Sequence, residues 1–252
     1  MAAGLHLSAA AALLVLGLAV VAPASAQSKK AAAGTGPAAT ARAHGAAGTT
    51  AAATASATAS ATAAAAAAAA SATAAAAIAV YAERFRAVCA ACHGVDGRSD
   101  MADTPVLAGQ HSLYAITQLF LFREGRRNNA AMIALAQPMT DADLRGFSSF
   151  IGTLAPVPAP APAAPPDAAR MRQGQALAHE HKCVFCHGTD LAGGQGVPRI
   201  GGQKEEYLRA TLHGFKTGDR PGYTRAMSEA LSQVPADTLD LLAYYVANYT
   251  GK

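Results

Sequence analysis

Strong charge is missing from both halves of this chain of 252 residues. Residues 78–155 carry seven Arg against seven Asp and Glu, and residues 167–252 carry ten Lys and Arg against nine acids. The remaining basic residues, Lys29, Lys30 and Arg42, account for most of the formal charge of +4. Because neither half is strongly basic, the composition argues against nucleic acid as a partner.

Large apolar residues are almost absent from residues 27–77, which consist mainly of Ala, Thr, Ser and Gly. Such a segment cannot bury enough surface to offset the entropy lost on ordering. We therefore predict a disordered tether over 27–77, with transient helix at most over 63–70. A low-complexity insertion without a role is the alternative.

Cysteine is also scarce, and its four residues fall into two copies of one motif. Cys89-Ala90-Ala91-Cys92-His93 is repeated as Cys183-Val184-Phe185-Cys186-His187. C-x-x-C-H is the attachment motif of c-type haem. Two Cys three apart on a helical turn face the same way, so both sulfurs can reach the vinyl groups of one porphyrin. The sequence thus predicts two covalently bound haem c groups, with His93 and His187 as axial ligands of the iron.

Other interpretations of a Cys pair explain less. A thioredoxin-like redox site would need a surrounding βαβ pattern, which we do not find. A zinc site built from both pairs, or a disulfide within each pair, leaves the His after each pair unexplained.

The N-terminus, 1–26, resembles a secretory signal peptide. An apolar run over 13–21 precedes Ala24-Ser25-Ala26, which fits an A-x-A cleavage pattern. The run is short for a membrane span, so cleavage is favoured over an anchor. Either way we expect the rest of the chain to lie outside the cytoplasm, in the periplasm, attached to the membrane only if the signal is retained.

An internal duplication follows the signal and the tether. Pro105 and the Gly109-Gln110 pair align with Pro198 and the Gly202-Gln203 pair. A helix with matching apolar positions comes next, ended by Gly125 or Gly218. We interpret its stripe as core: Tyr114, Leu119 and Phe122 in the first copy, and Tyr207, Leu212 and Phe215 in the second.

The pattern predicts an all-α protein with two tandem domains, 78–155 and 167–252. Each domain begins with an amphipathic helix before its Cys pair and ends with another amphipathic helix. Thr140 is the predicted N-cap of the last helix of the first domain. Gly174 in the helix before Cys183 is suited to close packing against another helix. A Pro-rich linker over 156–166 either separates the domains as a spacer or runs along a packed pair.

A second axial ligand closes a haem iron and favours electron transfer, and Met is the usual partner of His in cytochromes c. In the second half Met227 is the only Met after the haem motif. The first half offers Met101, Met132 and Met139. Met132 precedes Leu144 by twelve residues, as Met227 precedes Leu239, so Met132 is preferred; Met139 stays the alternative.

Histidines outside the motifs are expected to be surface residues, since His111 and His213 do not occupy matching positions. The Pro105 and Pro198 carbonyls are placed to accept a hydrogen bond from a ligand His ring and so to orient it. The alternative is that these prolines only stiffen a turn.

The ordered series of C-x-x-C-H, P-x-x-x-G-Q, a Tyr-bearing helix, G-x-R and a late Met resembles the diheme cytochrome c4 family. The resemblance covers about residues 78–155 and 167–252. It implies two cytochrome c folds, two His/Met haems and periplasmic electron delivery to a terminal oxidase. By the same resemblance Cys89, Cys92, Cys183 and Cys186 carry the thioethers, and Pro105 and Pro198 hold the rings of His93 and His187.

We therefore expect a carrier of single electrons between a respiratory donor complex and a terminal oxidase. An electron-transfer subunit of a periplasmic dehydrogenase is the second hypothesis. A diheme peroxidase or a sulfur-compound oxidoreductase is the third, and it needs one haem with an open or displaceable ligand. Matching Met residues in both halves argue against such an enzyme.

Overall fold

The computed structural model describes residues 49–162 and 164–251, with side chains from residue 60 onward. The predicted signal peptide and residues 27–48 of the predicted tether lie outside these ranges. Two compact units divide the chain, Met1–Ala53 and Thr54–Lys252. Of the first unit only helical backbone at residues 49–53 is described, and both halves defined by the duplication belong to the second.

Helix α1 spans Thr49–Val88, so the prediction of a disordered tether differs from the structure over residues 49–77. Ala has the highest intrinsic helix propensity, and this segment is mostly Ala. Residues 60–77 are all exposed, so this part of the helix rests on local propensity rather than on packing. Among the described residues, Ser60–Val88 is the one helical segment long and apolar enough to cross a membrane, a statement about length and composition only.

In the first half, the end of α1 runs into a single helical turn, α2, at Ala90–His93. Helices α3 (Ser112–Arg123), α4 (Ala130–Ala136) and α5 (Asp141–Ile151) follow. Thr140 and Asp143 form the capping box that starts α5, which confirms the predicted helix start at Thr140. The core joins α1, α3 and α5: Phe85, Ala115, Leu119, Leu144, Phe147 and Ile151.

In the second half, α6 spans Ala168–Glu180 and α7 spans Cys183–His187. Helices α8 (Glu205–Thr217) and α9 (Ala226–Ser232) follow, and α10 (Leu239–Ala247) comes after a 3₁₀ turn at Ala236–Thr238. A Cβ on Gly174 would lie 2.3 Å from Tyr245 Cβ, so the predicted close helix packing at Gly174 is confirmed for α6 against α10. The core includes Leu191, Leu208, Leu231, Val234, Leu239, Leu242 and Val246.

The part of the chain that the structure describes contains helices, turns and one isolated bridge between Gly194 and Val197, but no strand. The all-α prediction is therefore confirmed. Gly125 and Gly218 both take positive φ angles after α3 and α8, as expected for residues that end a helix.

The linker runs along the packed pair of halves over residues 156–159. Gly109 and Gly202 have φ angles of +74° and +71°, and a Cβ on them would lie 2.8 Å from Pro156 and 3.0 Å from Pro158, respectively. The Ala159 N–H also donates to the Gly202 carbonyl over 2.8 Å. Gly is thus required at both positions for two reasons: the backbone angle is positive, and the linker lies too close for a side chain.

Candidate haem sites

Each Cys pair lies on one helical turn, so its members are held on one side of the backbone. The His93 N–H donates to the Cys89 carbonyl over 2.9 Å, which closes the first turn. In the second half the turn follows Lys182, whose φ of 57° is left-handed. All four thiols are free: Cys89 and Cys183 are half-buried, and Cys92 and Cys186 are exposed.

The two His rings are buried and are held by backbone carbonyls. His93 Nδ1 lies 3.1 Å from the Pro105 carbonyl oxygen, and His187 Nδ1 lies 3.0 Å from that of Pro198. Since a carbonyl can only accept, Nδ1 carries the proton and Nε2 keeps its lone pair. These carbonyl contacts fix the ring and its tautomer as a metal-ligating His requires.

Burial sets the protonation of the site. It lowers the pKa of the His93 and His187 imidazoles, an effect that the hydrogen bonds to Pro105 and Pro198 only partly oppose. The rings are therefore neutral, the form that binds metal. Burial also raises the pKa of the Cys89 thiol to about 11, so this thiol is not a thiolate nucleophile at neutral pH.

The methionines that the sequence proposed lie on corresponding short helices. Met132 is in α4 and Met227 is in α9, and both are half-buried against the core of their own half. Met139 comes seven residues after Met132, at the position that Val234 occupies after Met227. Val234 is a core residue with 1% of its surface exposed, so the duplication places Met139 at a core position.

A cluster of cations and phenols joins the halves. Arg127 donates to the Tyr207 hydroxyl over 2.9 Å, and Arg220 contacts both the Tyr207 and the Tyr114 hydroxyls at 3.2 and 3.4 Å. Burial alone would raise the pKa of Tyr207, but the two guanidiniums outweigh it and lower that pKa. Interpreting Tyr114 and Tyr207 simply as core residues was thus incomplete, because their hydroxyls form part of the interface.

Sequence reasoning also missed residues that cross between the halves. His111, expected at the surface, is half-buried, and its Nε2 lies 2.9 Å from the Ala192 carbonyl oxygen. Gln110 and Gln203, seen only as repeated motif residues, contact backbone of the opposite half. The repetition of this Gln in both copies was the only sign in the sequence that it has a role. The contacts themselves join residues about ninety positions apart, so the sequence did not show them.

The alternatives for the Cys pairs do not fit the structure. Within residues 49–162 and 164–251, no three side chains of His, Cys, Asp or Glu converge on a point that could hold a metal. The two pairs therefore do not combine into one zinc site. The described residues also form no sheet, and a thioredoxin-like motif would require one.

The residues present fit a covalently bound haem in each half. Each half supplies two free thiols on one turn and a buried neutral imidazole whose Nε2 is available. The half-buried guanidiniums of Arg127 and Arg220 form no ion pair with a carboxylate of the described residues. A half-buried cation is stabilised by an anionic partner, and haem carries propionate groups that would supply one. Fold and site together define a tandem, all-helical electron carrier of the c type.

Comparison with known proteins places the chain in a family. The sequence model of the Cytochrome c family matches twice, over residues 79–155 and 171–245. Cytochrome c4 of Thiocapsa roseopersicina is 33% identical over 157 residues, 58% of this chain and 80% of that protein. The chain therefore belongs to the cytochrome c family, in its diheme c4 group. It holds two covalently bound haem c groups and acts as an electron carrier rather than as an enzyme.

Further similarities concern structure and partners. The crystal structure of reduced cytochrome c4 from Pseudomonas stutzeri has a TM-score of 0.61 and 26% identity, covering 68% of this chain and 97% of that chain. A thiosulfate dehydrogenase electron acceptor from Thiomonas intermedia is 35% identical over 145 residues, 54% of this chain and 66% of that protein. These relatives support redox proteins as the general class of partner.

Proposed function

We propose that His93 and Met132 bind the iron of the first haem, and that His187 and Met227 bind the second. Cys89 with Cys92, and Cys183 with Cys186, would form the thioether bonds. A haem iron bound by His nitrogen and Met sulfur passes single electrons between Fe(III) and Fe(II), and Met raises its potential relative to a second His. The observation that carries the proposal is the repetition of the whole set, from buried imidazole to late Met, in both halves.

Carbon monoxide tests this assignment, because it binds reduced haem only where the sixth position is open. We would measure haem per chain and then the absorption of the reduced full-length protein with and without the gas. We expect two haems and no spectral change. Met132→Ala should open one haem to the gas, and Met227→Ala should open the other.

Met139→Ala is the matched control for Met132→Ala, since both residues pack against the same core. It should leave both haems closed to carbon monoxide. An unmodified protein that binds the gas would overturn the Met assignment for whichever haem binds it. A Met139→Ala variant that opens a haem while Met132→Ala does not would overturn the assignment of Met132.

We propose further that the protein works in the periplasm, carrying electrons from a respiratory donor complex or dehydrogenase to a terminal oxidase. The apolar run and the A-x-A pattern within 1–26 support export. The sequence similarity to cytochromes c4 of four genera supports this role as an electron carrier. Cell fractionation tests the location, and a cytoplasmic pool of the protein would contradict it. Oxidation of the reduced protein by membranes that contain a terminal oxidase tests the acceptor, and absence of oxidation would contradict it.

A second candidate partner is a thiosulfate dehydrogenase. Two thiosulfate dehydrogenase electron acceptors are 35% and 31% identical to this chain. A thiosulfate dehydrogenase structure from Marichromatium purpuratum has a TM-score of 0.57 and 35% identity, with 64% of this chain matching 36% of that chain. Mixing the oxidised protein with thiosulfate and such an enzyme would show rapid haem reduction if this partner is right, and no reduction above the enzyme-free rate if it is wrong.

If the signal is retained, we propose that the N-terminus attaches the protein to the membrane. Although α1 is long, its exposed part is mostly Ala, Thr and Ser, and its last turns place Phe85 in the core of the first half. Any attachment would therefore use residues 1–26 rather than α1. Salt-resistant membrane binding that is lost when the chain is cut after residue 26 would support attachment, and a fully soluble uncut protein would contradict it.

A further inference from the structure

The Gln of each G-Q pair reaches across to the opposite half. Gln203 Oε1 accepts the Val106 N–H over 2.8 Å, and its Nε2 donates to the Val106 carbonyl over 2.9 Å. Both residues are buried, with 6% and 5% of their surface exposed. In return, Gln110 Nε2 donates to the Arg199 carbonyl over 2.5 Å. Val106 and Arg199 are corresponding residues of the duplication, so the contacts are reciprocal.

The Val106 N–H belongs to the same peptide group as the Pro105 carbonyl. That carbonyl accepts the Nδ1 proton of His93 over 3.1 Å. A continuous hydrogen-bonded chain therefore runs from the His93 ring through one peptide group to the Gln203 side chain of the other half. Each bond in such a chain polarises the next, so an acceptor on the N–H makes the carbonyl a better acceptor.

The second half has no equivalent chain. Gln110 donates to the Arg199 carbonyl, which lies in the peptide after the one that holds His187. Its Oε1 is buried without a hydrogen-bond partner among the described residues, and it does not accept the Arg199 N–H. The two halves thus share the Gln but differ in which peptide group it contacts.

We infer that Gln203 is a positioning residue for His93, acting across the domain interface through the Pro105–Val106 peptide group, whereas Gln110 does not act in this way on His187. The inference rests on the proposed role of His93 as an iron ligand. A stronger acceptor on Nδ1–H makes the imidazole a more basic ligand. A more basic ligand stabilises Fe(III), so Gln203 lowers the reduction potential of the haem in the first half.

The test compares Gln203→Leu with Gln110→Leu in the full-length, haem-loaded protein. Spectroelectrochemistry gives both potentials, and hyperfine-shifted proton resonances assign each potential to one haem. We expect Gln203→Leu to raise the potential of the His93 haem and to leave the other unchanged. Gln110→Leu should change neither, although it removes a buried interface bond of the same kind.

A purely structural role predicts a different pattern, since either substitution would then loosen the interface and change both potentials or neither. Equal shifts from the two variants, or no shift in Gln203→Leu, would overturn the inference. Gln203→Met covers the case in which Gln203→Leu separates the halves. The Met side chain has nearly the length of Gln but offers the Val106 N–H no strong acceptor, so it should raise the same potential, and a fall or no change would equally contradict the inference.

Failure of this inference is distinguishable from failure of the proposed ligands. A six-coordinate, low-spin spectrum that does not respond to carbon monoxide shows that His and Met still bind the iron in a variant. With that spectrum intact and the potentials unchanged, the Gln203 inference fails alone. If the unmodified protein already lacks that spectrum, the ligand proposal fails first.

Discussion

In the first half Gly146 of α5 lies against the ring of Tyr81 from α1, whereas in the second half Gly174 of α6 lies against the backbone end of Tyr245 from α10. A Cβ on Gly146 would meet the ring edge of Tyr81, the far end of a side chain. A Cβ on Gly174 would meet Tyr245 Cβ at 2.3 Å and the Leu241 carbonyl oxygen at 3.0 Å. The same pair of helices thus crosses in both halves, but only the second half brings their backbones together at a Gly.

Aromatic rings occupy the corresponding space in the first half. Tyr81 packs edge-on against Phe147 with centroids 5.1 Å apart, and Phe85 packs against Phe150 at 5.0 Å. A crossing filled by rings can adjust when one ring moves, but a crossing in which backbone meets backbone cannot. The same fold is thus held by two packing arrangements that differ in their tolerance to substitution.

The largest expected loss of stability comes from a substitution where α6 and α10 pack closely. Gly174→Ala should destabilise the protein by about 3 kcal/mol, since overpacking that cannot relax costs this much. Gly146→Ala should cost less, because the Tyr81 ring can turn outward and Ala is the better helix former. The remaining cost is the loss of the Tyr81 hydrogen bond to Asp143 and of its edge contact with Phe147. Urea unfolding of the haem-loaded protein, read with hydrogen exchange in each half, measures both. Equal losses from the two substitutions would contradict the comparison.

An intermediate effect concerns the two interface phenols. Tyr207 accepts from two guanidiniums, those of Arg127 and Arg220, whereas Tyr114 accepts from one, that of Arg220 at 3.4 Å. Tyr207→Phe should therefore cost about 2 kcal/mol, the range of a hydrogen bond to a charged group, and Tyr114→Phe less than about 1 kcal/mol. The same unfolding measurement applies. A larger loss for Tyr114→Phe would show that the guanidiniums depend on the other phenol.

The smallest effect is a pH dependence confined to the first half. Bonds from Thr140, together with Arg84, hold the pKa of Asp143 well below its usual range. Because the pKa of Asp143 is lower in the folded protein than in the unfolded chain, where it is about 3.9, the ionised carboxylate stabilises the fold above that pH. The stabilisation is lost as the pH falls below about 3.9 and the carboxylate becomes protonated. The second half has Pro235 and Thr238 at the positions of Thr140 and Asp143, and no side chain caps α10.

Asp143→Asn should therefore reduce the loss of stability that the first half shows as the pH falls. At neutral pH it should cost less than about 1 kcal/mol, as expected for a partly exposed ion pair. Thr238→Ala is the matched control and should leave the pH dependence unchanged. Stability curves measured between pH 2 and pH 6 test this, with the range chosen around the usual carboxylate pKa of about 3.9. An unaltered acid loss in Asp143→Asn would assign that loss to other carboxylates.

Much of the local structure was predictable because its signals are local. The capping box at Thr140, the helix ends at Gly125 and Gly218, and the helical turn of each Cys pair depend on residues a few positions apart. Over residues 49–77 the structure has a helix where disorder was predicted, although the signal for this helix is local too. Lack of apolar residues excluded a core, but Ala-rich sequence can form a helix without one.

The residues of the candidate haem sites were predictable from the sequence, but their contacts with the opposite half were not. The C-x-x-C-H motif identified His93 and His187, Met227 is the only Met after the second motif, and the spacing of the repeat selected Met132. The binding of iron by these four residues stays a prediction. The duplication could not place Gln203 on Val106, a contact 97 residues apart. Nor could it show that His111 contacts the second half rather than solvent.

The sequence by itself determined what repeats: two Cys pairs on helical turns, two buried imidazoles, two late methionines and the helices that carry them. Tertiary structure alone decided how the copies differ, namely which helix carries the packing Gly, which phenol receives two guanidiniums and which peptide group a Gln reaches. The physical reason is that spacing along a helix fixes the direction of a side chain within a few residues. Contacts between the halves depend instead on how two finished surfaces meet.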